Sequence, residues 1–523
     1  MHFLTKGSSL TSRGKKVACA QHPHCSPRSY LIDIQMSDTY YSIRDILSVA
    51  SRHPFYNHEV QYPPNAEEIV QLRHPQNETE LRELSNIPLT HKEDLYETNP
   101  AVSDVILIQL INLALNSYEA IQRLSADDSP QNDFRRSVYS SITGGGSGGV
   151  PMLFLTDSTE NRKHRLTAGR FLKTCGLVDP RDWIVTVHVS GGFYRSLDLL
   201  SEMFENAGGS VLAVGHTIPI NGVVDALIKY RVNVLSGGSS AILQILNYIS
   251  STATQDQRNA LKLDKIIYTS EPLGRQQRDF IRSILGPVKI CSVLGSSEAG
   301  PWAVANLALT GEPEDDAVEF IYDTRSMIIE ILPLDAVETP RGTIQHVLEL
   351  PEGSVGCIVQ TSLQRLRNPL VRYITGDVGS LHPLPAAAKA AIPAEDAQHL
   401  RMLRMRGRDK RFSFKWCGKY FEFHTIREVI GTVEWGILQW QLILTVEKPS
   451  HSVHMEVRVL RSTTESANQI SEVTLVDKLK ALFYVGSNVE NLFKVTFVGG
   501  NEGFILSSTG NKVMGFVDRS VQA

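Results

Sequence analysis

The stretch that decides the fold is KIIYTSEPLGRQQRDFIRSILGPVKICSVLGSS, residues 265–297. It begins and ends with short runs of apolar and β-branched residues, which are typical of buried strands. Between these runs, Phe280, Ile281 and Ile284 recur at the spacing of an amphipathic helix. A strand, a helix and a second strand in so short a stretch predict a βαβ unit, in which the two strands are parallel.

The same alternation extends over residues 182–300. Further strands are predicted at DWIVTVHVS (182–190), GSVLAVGHT (209–217) and VNVLSGG (232–238), and helices at SLDLLSEMFENAGG (196–209), VVDALIKYR (223–231) and AILQILNYIS (241–250). This pattern predicts an α/β fold, in which a large N-terminal domain has mostly parallel sheets flanked by helices. Such sheets bind ligands at the carboxyl ends of their strands.

The remainder of the chain divides into three further segments. Residues 1–36 contain Lys and Arg but no acid before Asp33, and we interpret them as a disordered extension. The Ala/Pro-rich residues 382–397 are interpreted as an inserted loop or linker. Beyond it, LQWQLILTVE (438–447) and SVHMEVRVL (452–460) alternate as half-buried strands, with a helix, a strand FKVTFVGG (493–500) and a polar tail after them. The predicted domains are therefore 37–408 and a small, mobile α+β domain, 409–523.

Composition limits the class of protein. The 523 residues are 42% hydrophobic and 21% charged, and the net charge of −4 gives no global attraction to nucleic acid or to an anionic membrane. No apolar run is long enough to span a bilayer. Six scattered cysteines are interpreted as reduced thiols of an intracellular protein. We expect a cytoplasmic location, with a mitochondrial one as the minor alternative because of the basic N-terminus.

The most unusual stretch is the glycine-rich loop ITGGGSGGVPM, residues 142–152. Its backbone N–H groups could approach phosphate closely. A dinucleotide-binding fingerprint is disfavoured because a strand-like MLFLTD, rather than a helix, follows Pro151, and a P-loop is disfavoured because the loop has no lysine. A kinase loop would require a catalytic loop that the sequence lacks, while a flexible Gly/Ser linker remains an alternative.

A Ser/Thr/Gly loop that ends in Gly-x-Pro before an α/β domain resembles the phosphate loop of the adenylate-forming enzymes. This superfamily comprises the acyl-CoA synthetases, adenylation domains and luciferases. Within it, the segments HPFYNHEV (53–60) and LSNIPLTHKEDL (84–95) are similar to those of the phenylacetate–CoA ligase branch. The resemblance runs from about residue 50 to the C-terminus, and its specificity lies in the order of several motifs.

The resemblance implies the following site. TSEPL would line the adenine, LGSSEAG would supply a hydroxyl near the α-phosphate and a magnesium carboxylate, and PLVRYITGD with GRDKRF would bind the ribose. STGNKVMGF would carry the catalytic lysine. The implied nucleotide-binding residues are Thr143, Gly144, Gly145, Gly146, Ser147, Gly148, Gly149, Glu271, Pro272, Ser297, Asp377 and Arg408. The implied catalytic residues are Lys512 and Glu298, with Glu298 also as the metal ligand and Lys410 as the hinge.

Several positions depart from the family pattern. The loop has Gly148 where relatives usually have Thr and Met152 where many have Lys, and Leu294 replaces the tyrosine that commonly stacks on adenine. Ile374 replaces the second arginine of the ribose motif. These departures leave a catalytically impaired, nucleotide-binding relative as an alternative.

The resemblance implies ATP-dependent activation of a carboxylic acid to an acyl-adenylate, with ATP, Mg²⁺ and coenzyme A as cofactors. By family position, His188, Phe193 and Tyr194 would form the acid pocket, which favours an aromatic, arylacetic or small apolar acid. Packing roles for these three residues are the alternative. A carrier-protein thiol or an amine could replace coenzyme A as the acceptor, since no residue in the sequence selects among them.

Overall fold

The computed structural model describes residues 40–57, 59–73, 84, 87–90, 121, 123–142, 153–270, 272–312, 317–338, 347–408, 413–417, 419–446, 452–462, 469–486, 489–507 and 511–520. The predicted extension at residues 1–36, residues 143–152 of the glycine-rich loop, Glu271 and Lys410 lie outside the described residues. None of the helices in the described ranges has both the length and the apolar composition needed to cross a membrane.

Helices and strands alternate through the central part of the chain. The helices are α1 Ile43–Ala50, α2 Ala66–Arg73, α3 Ser158–Thr174, α4 Ser196–Ala207, α5 Ile220–Lys229, α6 Ser239–Ser251, α7 Gln255–Ala260, α8 Arg275–Leu285, α9 Leu307–Thr310, α10 Ala386–Ala391, α11 Ala394–Ala397, α12 Phe423–Ile430 and α13 Glu472–Leu482. The strands are β1 Val138–Ile142, β2 Leu153–Asp157, β3 Trp183–Thr186, β4 Ser190–Gly191, β5 Tyr194–Arg195, β6 Ser210–Ala213, β7 Val234–Gly238, β8 Lys265–Thr269, β9 Lys289–Ser296, β10 Gly300–Asn306, β11 Val318–Asp323, β12 Met327–Leu332, β13 Gly356–Ser362, β14 Tyr373–His382, β15 Leu400–Arg408, β16 Ser413–Trp416, β17 Lys419–Glu422, β18 Ile437–Val446, β19 Val453–Arg461, β20 Phe493–Phe497 and β21 Phe516–Asp518.

An eleven-stranded sheet forms the centre of the molecule, in the order β12-β13-β14-β15-β11-β10-β9-β8-β7-β3-β6. The strands predicted from residues 182–300 form its parallel part, since β6, β3, β7, β8 and β9 pair in parallel. Beyond β9 every neighbouring pair is antiparallel. The α/β prediction is confirmed, and the observed sheet is mixed.

The parallel strands are buried on both faces because helices cover both. Ile184 of β3 packs in one cluster with residues of α3 and α4. Its neighbour Val185 packs in another cluster with residues of α5, α6 and α8. Since successive side chains of a strand point to opposite faces, this arrangement explains why the strand segments are almost continuously apolar.

Residues 382–397 were expected to form a loop or linker, and this expectation is wrong. They contain the short helices α10 and α11. Leu384, the fully buried Ala388 and Ile392 pack into the same cluster as α3 and α4. The alanines allow close packing, and Pro385 and Pro393 precede the first residues of α10 and α11, where the absence of an N–H group costs no helical hydrogen bond.

The C-terminal part has its own four-stranded sheet, in the order β20-β19-β18-β21. Leu475 and Leu479 of α13 are fully buried against it, as the apolar face of this helix predicts. The expected polar tail is replaced by β21, which pairs in parallel with Leu442–Leu444 of β18. The described residues do not test the predicted boundary at 408/409, which remains a prediction.

A buried ion pair fixes the amino ends of the parallel strands. Lys265 Nζ lies 2.5 Å from Asp182 Oδ2, and both side chains are only 4% exposed. Asp182 also accepts hydrogen bonds from Asn233 Nδ2 at 2.9 Å and from the backbone N–H of Asp179 at 2.8 Å. The Asp182 carboxylate therefore has three partners, and the positively charged one is Lys265 of β8.

We expect Lys265→Met to lower the free energy of unfolding by about 3 kcal/mol, because it leaves a buried carboxylate without its cation. Urea denaturation measures this loss. The matched control is Lys289→Met on the adjacent strand β9, where the lysine is exposed. A loss for Lys265→Met no larger than that for the control would contradict the prediction.

Candidate active site

The hairpin of β1 and β2 fixes both ends of the glycine-rich loop. Its last pair is Ile142 with Leu153, so residues 143–152 connect the two strands. The predicted residues Thr143–Gly149 belong to this connection and lie outside the described residues. The Ile142 N–H donates to the Phe193 carbonyl at 3.2 Å, and the Ile142 carbonyl accepts from Ser297 Oγ at 3.0 Å. Ser297 is therefore in contact with the first residue of the loop.

Glu298 lies in the turn between β9 and β10 and is only 3% exposed. The Tyr373 hydroxyl donates to its Oε1 at 3.1 Å. Tyr373 belongs to the predicted ribose motif PLVRYITGD, whereas Glu298 belongs to LGSSEAG. The structure thus brings two of the sequence motifs into direct contact.

The two segments that resemble phenylacetate–CoA ligases both brace residues 369–374. The Tyr56 hydroxyl donates to the Pro369 carbonyl and accepts from the Val371 N–H, each at 3.0 Å. Thr90 donates its N–H to the Arg372 carbonyl at 2.9 Å. These contacts fix the backbone on either side of Tyr373.

The predicted ribose residues lie on adjacent strands. Asp377 of β14 is directly opposite Arg408 of β15 in the antiparallel register, and its N–H donates to Thr375 Oγ1 at 3.0 Å. Pro272 of the predicted adenine segment is exposed and follows the carboxyl end of β8. Because β8 and β9 are parallel neighbours, Pro272 and Ser297 both lie just beyond the carboxyl ends of these strands.

Lys512 reaches the large domain from the C-terminal segment between β20 and β21. Its Nζ lies 5.8 Å from the centre of the Tyr194 ring. Hydrogen bonds hold its backbone: the Ser507 N–H donates to the Lys512 carbonyl at 2.8 Å, and the Lys512 N–H donates to Ser507 Oγ at 3.1 Å. The structure therefore brings together the predicted catalytic lysine and a predicted pocket residue.

Contacts with the helical face of the large domain hold this C-terminal segment in position. Phe504 and Val513 are buried in the same cluster as residues of α5, α6 and α8. Gln277 of α8 donates to the Leu438 carbonyl at 2.5 Å. Since Val513 follows Lys512 directly, burial of its side chain limits where the lysine can point.

His188 is buried beside this lysine. Its Nε2 lies 3.1 Å from Oγ of Ser236, in the middle of β7. Burial, reinforced by the positive charge of Lys512, lowers the pKa of His188 to about 3. The imidazole is therefore neutral near pH 7. It can donate or accept a hydrogen bond, and it does not repel the positively charged lysine.

The third predicted pocket residue, Phe193, is exposed, unlike the buried His188. Phe193 is 68% exposed, and its backbone has a positive φ of 67°, beside Gly191 and Gly192, which also have positive φ. This tight hairpin turns the Phe193 side chain toward solvent, while its carbonyl binds Ile142. Among the described residues, His188 and Tyr194 lie near Lys512, whereas the Phe193 ring is largely exposed.

Neither the scan against protein-family models nor the search of curated proteins gave a match. The search of solved structures gave matches. A 2-hydroxyisobutyryl-CoA ligase in the postadenylation state, in complex with R3-HIB-AMP, has a TM-score of 0.58 at 15% identity, and the match covers 91% of this chain and 88% of that one. The same ligase with 2-HIB-AMP has a TM-score of 0.58 at 16% identity, with the same coverage.

The chain has the fold of 2-hydroxyisobutyryl-CoA ligase. The resemblance to the adenylate-forming superfamily is confirmed at the level of the fold. Similarity to the phenylacetate–CoA ligase branch remains a prediction, as do the roles of the individual site residues.

Sequence reasoning missed three residues of this region. Tyr373 lies inside a quoted motif but was assigned no role, although the structure shows that it binds Glu298. Ser236, which contacts His188, lies in the predicted strand VNVLSGG but was assigned no role in the pocket. Arg365 is buried near Glu298, and nothing in its local sequence distinguishes it from a surface arginine.

We expect His188 to make folding sensitive to acid. Below pH 6.5 the unfolded chain takes up a proton at this position that the folded chain excludes until about pH 3, so stability decreases as the pH falls. Between pH 6 and 4, the free energy of unfolding should fall by up to about 1.4 kcal/mol per pH unit more steeply in the wild type than in His188→Gln. Urea denaturation at several pH values measures the two slopes.

The control for this experiment is His216→Gln, which removes an exposed histidine. Parallel pH profiles for the wild type and His188→Gln would show that the imidazole is not excluded from protonation in the folded chain.

Proposed function

We propose that this protein is an ATP-dependent acid–thiol ligase, which converts a carboxylic acid to an acyl-adenylate and transfers the acyl group to coenzyme A. The observation that carries the proposal is the position of Lys512 Nζ, 5.8 Å from the Tyr194 ring and close enough to lower the pKa of His188. The lysine comes from the C-terminal segment, whereas the two partners belong to the large domain. The shared fold with a CoA ligase supports the same reaction.

In the first step, a carboxylate oxygen of the acid attacks the α-phosphorus of ATP. The bond from that phosphorus to the oxygen shared with the β-phosphate breaks, and pyrophosphate leaves. Both reactants are anions, so catalysis depends on positive charge and on positioning. Lys512 holds the acid against the α-phosphate as a point charge, and the N–H groups of the glycine-rich loop hold the leaving pyrophosphate.

The residues around Glu298 suit Mg²⁺. This ion commonly binds through one or two carboxylates, with phosphate and water oxygens completing its shell. Within the described ranges, no three His, Cys, Asp or Glu side chains are close enough to form a metal site on their own. Glu298 would therefore hold a metal that arrives with ATP, and such a metal would neutralise part of the phosphate charge.

In the second step, the sulfur of coenzyme A attacks the acyl carbon. The bond from that carbon to the phosphate oxygen breaks, AMP leaves with the bonding electrons, and the thiol proton passes to solvent. The thiol must reach the acyl carbon, but Lys512 occupies one side of the acid pocket during the first step. We infer that the C-terminal domain rotates about Lys410 between the two steps.

The groups around Lys512 support the expected class of acid. The neutral His188, the Tyr194 ring and Ser236 offer aromatic surface and hydrogen bonds without a second charge. An aromatic, arylacetic or small apolar acid with one carboxylate suits these groups, because the single lysine neutralises it. A carrier-protein thiol or an amine is the alternative acceptor. We expect the reaction to occur in the cytoplasm.

Acid-dependent exchange of labelled pyrophosphate into ATP tests the proposal across aryl, arylacetic, small branched, fatty and amino acids. We expect exchange with at least one acid and a loss of about 100-fold or more in Lys512→Ala, because a charge that stabilises the transition state is removed. The matched control is Lys494→Ala, an exposed lysine of the C-terminal sheet. It should keep the wild-type rate.

Three results would change the assignment. No exchange with any acid would favour the impaired relative. Exchange that survives Lys512→Ala would mean that another residue supplies the charge. Exchange without consumption of coenzyme A would identify a different acceptor.

Tyr373→Phe should raise the Mg²⁺ concentration needed for half-maximal exchange by about 10-fold, because the hydrogen bond that orients Glu298 is lost. The rate at saturating Mg²⁺ should change much less. The control is Tyr322→Phe, another buried tyrosine in the same apolar cluster. An unchanged Mg²⁺ dependence in Tyr373→Phe would show that this hydrogen bond does not support metal binding.

A further inference from the structure

Arg365 is a buried cation whose role the reaction above leaves open. It lies between β13 and β14 and is 3% exposed. Its guanidinium carbon lies 5.8 Å from the centre of the Phe154 ring, on the strand that follows the glycine-rich loop. Glu298 and Glu160 are close enough to act on its charge.

Gly300 allows the guanidinium to approach the turn that carries Glu298. A Cβ atom at this position would lie 3.0 Å from Arg365 Nη2 and 2.5 Å from His164 Cε1. Gly300 also has a positive φ of 72°, which favours glycine. The backbone after Glu298 is thus shaped around the side chain of Arg365.

Although the charges of Glu298 and Glu160 act on it, the guanidinium forms no ion pair within the described residues. Its Nη1 is fully buried and has no hydrogen-bond partner there. Glu160 accepts from the backbone N–H groups of Leu366 and Arg367, at 3.0 and 3.3 Å. Burial, reinforced by the charge of Asp157, raises the pKa of Glu160 to about 7, which weakens it as a counter-ion.

An unpartnered guanidinium is costly to bury, so such a group is expected where an anion binds. Burial lowers the pKa of Arg365 to about 10, which keeps it charged at neutral pH. The glycine-rich loop itself contains no Lys or Arg, and Met152 occupies the position where relatives often have lysine. A cation for the phosphates must therefore come from outside the loop.

We propose that Arg365 binds a phosphoryl oxygen of the ATP triphosphate, and of the pyrophosphate released from it, beside Glu298. This inference rests on the proposed function. Arginine suits the role because its planar fork presents two N–H groups to one phosphate. The position beside both Glu298 and the strand after the loop favours the β- and γ-phosphates over the acid, whose carboxylate lies near Lys512.

The test is direct binding of pyrophosphate with Mg²⁺, in the absence of any acid, measured by calorimetry and by the shift in melting temperature. We expect Arg365→Met to raise the Kd for pyrophosphate about 10- to 100-fold, which is the loss expected for a hydrogen bond to a charged group. Its melting temperature without ligand should not fall, because an unpaired buried charge is removed. Arg365→Lys keeps the charge but not the fork and should show a smaller rise in Kd.

The matched control is Arg278→Met on α8, which is equally buried but forms an ion pair with Glu312. We expect a lower melting temperature for this variant and an unchanged Kd for pyrophosphate.

The outcomes separate this inference from the proposed function. If the wild type binds neither ATP nor pyrophosphate, the proposed function fails. If the wild type binds and Arg365→Met binds equally well, only the role of Arg365 is overturned. If Arg365→Met does not fold, an unchanged Kd in Arg365→Lys together with a lowered melting temperature would assign a purely structural role.

Discussion

The hydrogen bond from Tyr373 to Glu298 joins the two parts of the central sheet at the candidate active site. Glu298 follows the last parallel strand, and Tyr373 begins an antiparallel one. Tyr373 is held in turn by its neighbour Arg372, whose guanidinium forms two hydrogen bonds, at 3.2 and 3.0 Å, with the carboxylate of Glu330. Arg372 has a positive φ of 45°, a conformation that is unfavourable for arginine and is maintained by this ion pair and by the contacts from Thr90. A carboxylate that is almost completely buried thereby keeps a fixed orientation.

The parallel part of the fold could be predicted from sequence because both faces of its strands are buried, which makes each strand a short apolar run between helices. The antiparallel part could not be derived in this way. Its strands owe their order to pairings such as β11 with β15, which are distant in sequence and have no local signal. Strand β21 was missed because it has only three residues and depends on its pairing with β18. The helices at 386–397 were missed because Ala and Pro serve equally well in a linker and in a tightly packed corner.

The candidate site was predictable to the extent that the motifs occur in order along the chain. The contact of Ser297 with Ile142 and the opposition of Asp377 and Arg408 agree with that order. The partners of these motifs were not predictable, since Tyr373 and Glu298 are 75 residues apart and the hydrogen bond between them exists only in the folded chain. Burial of Arg365 and exposure of Phe193 are likewise properties of the tertiary structure, because neither residue type indicates its own environment.

The proposed reaction brings a carboxylate and a triphosphate together, and the positive charges that it needs come from two different parts of the chain. Arg365 belongs to the large domain, whereas Lys512 arrives with the C-terminal segment. Lys512 also lies beside His188, and a protonated imidazole there would repel both the lysine and the approach of its domain. Burial lowers the pKa of this histidine to about 3, so it stays neutral near pH 7. In the proposed two-step reaction, this neutral histidine would let Lys512 approach and leave the pocket with its domain, while Arg365 would remain beside Glu298.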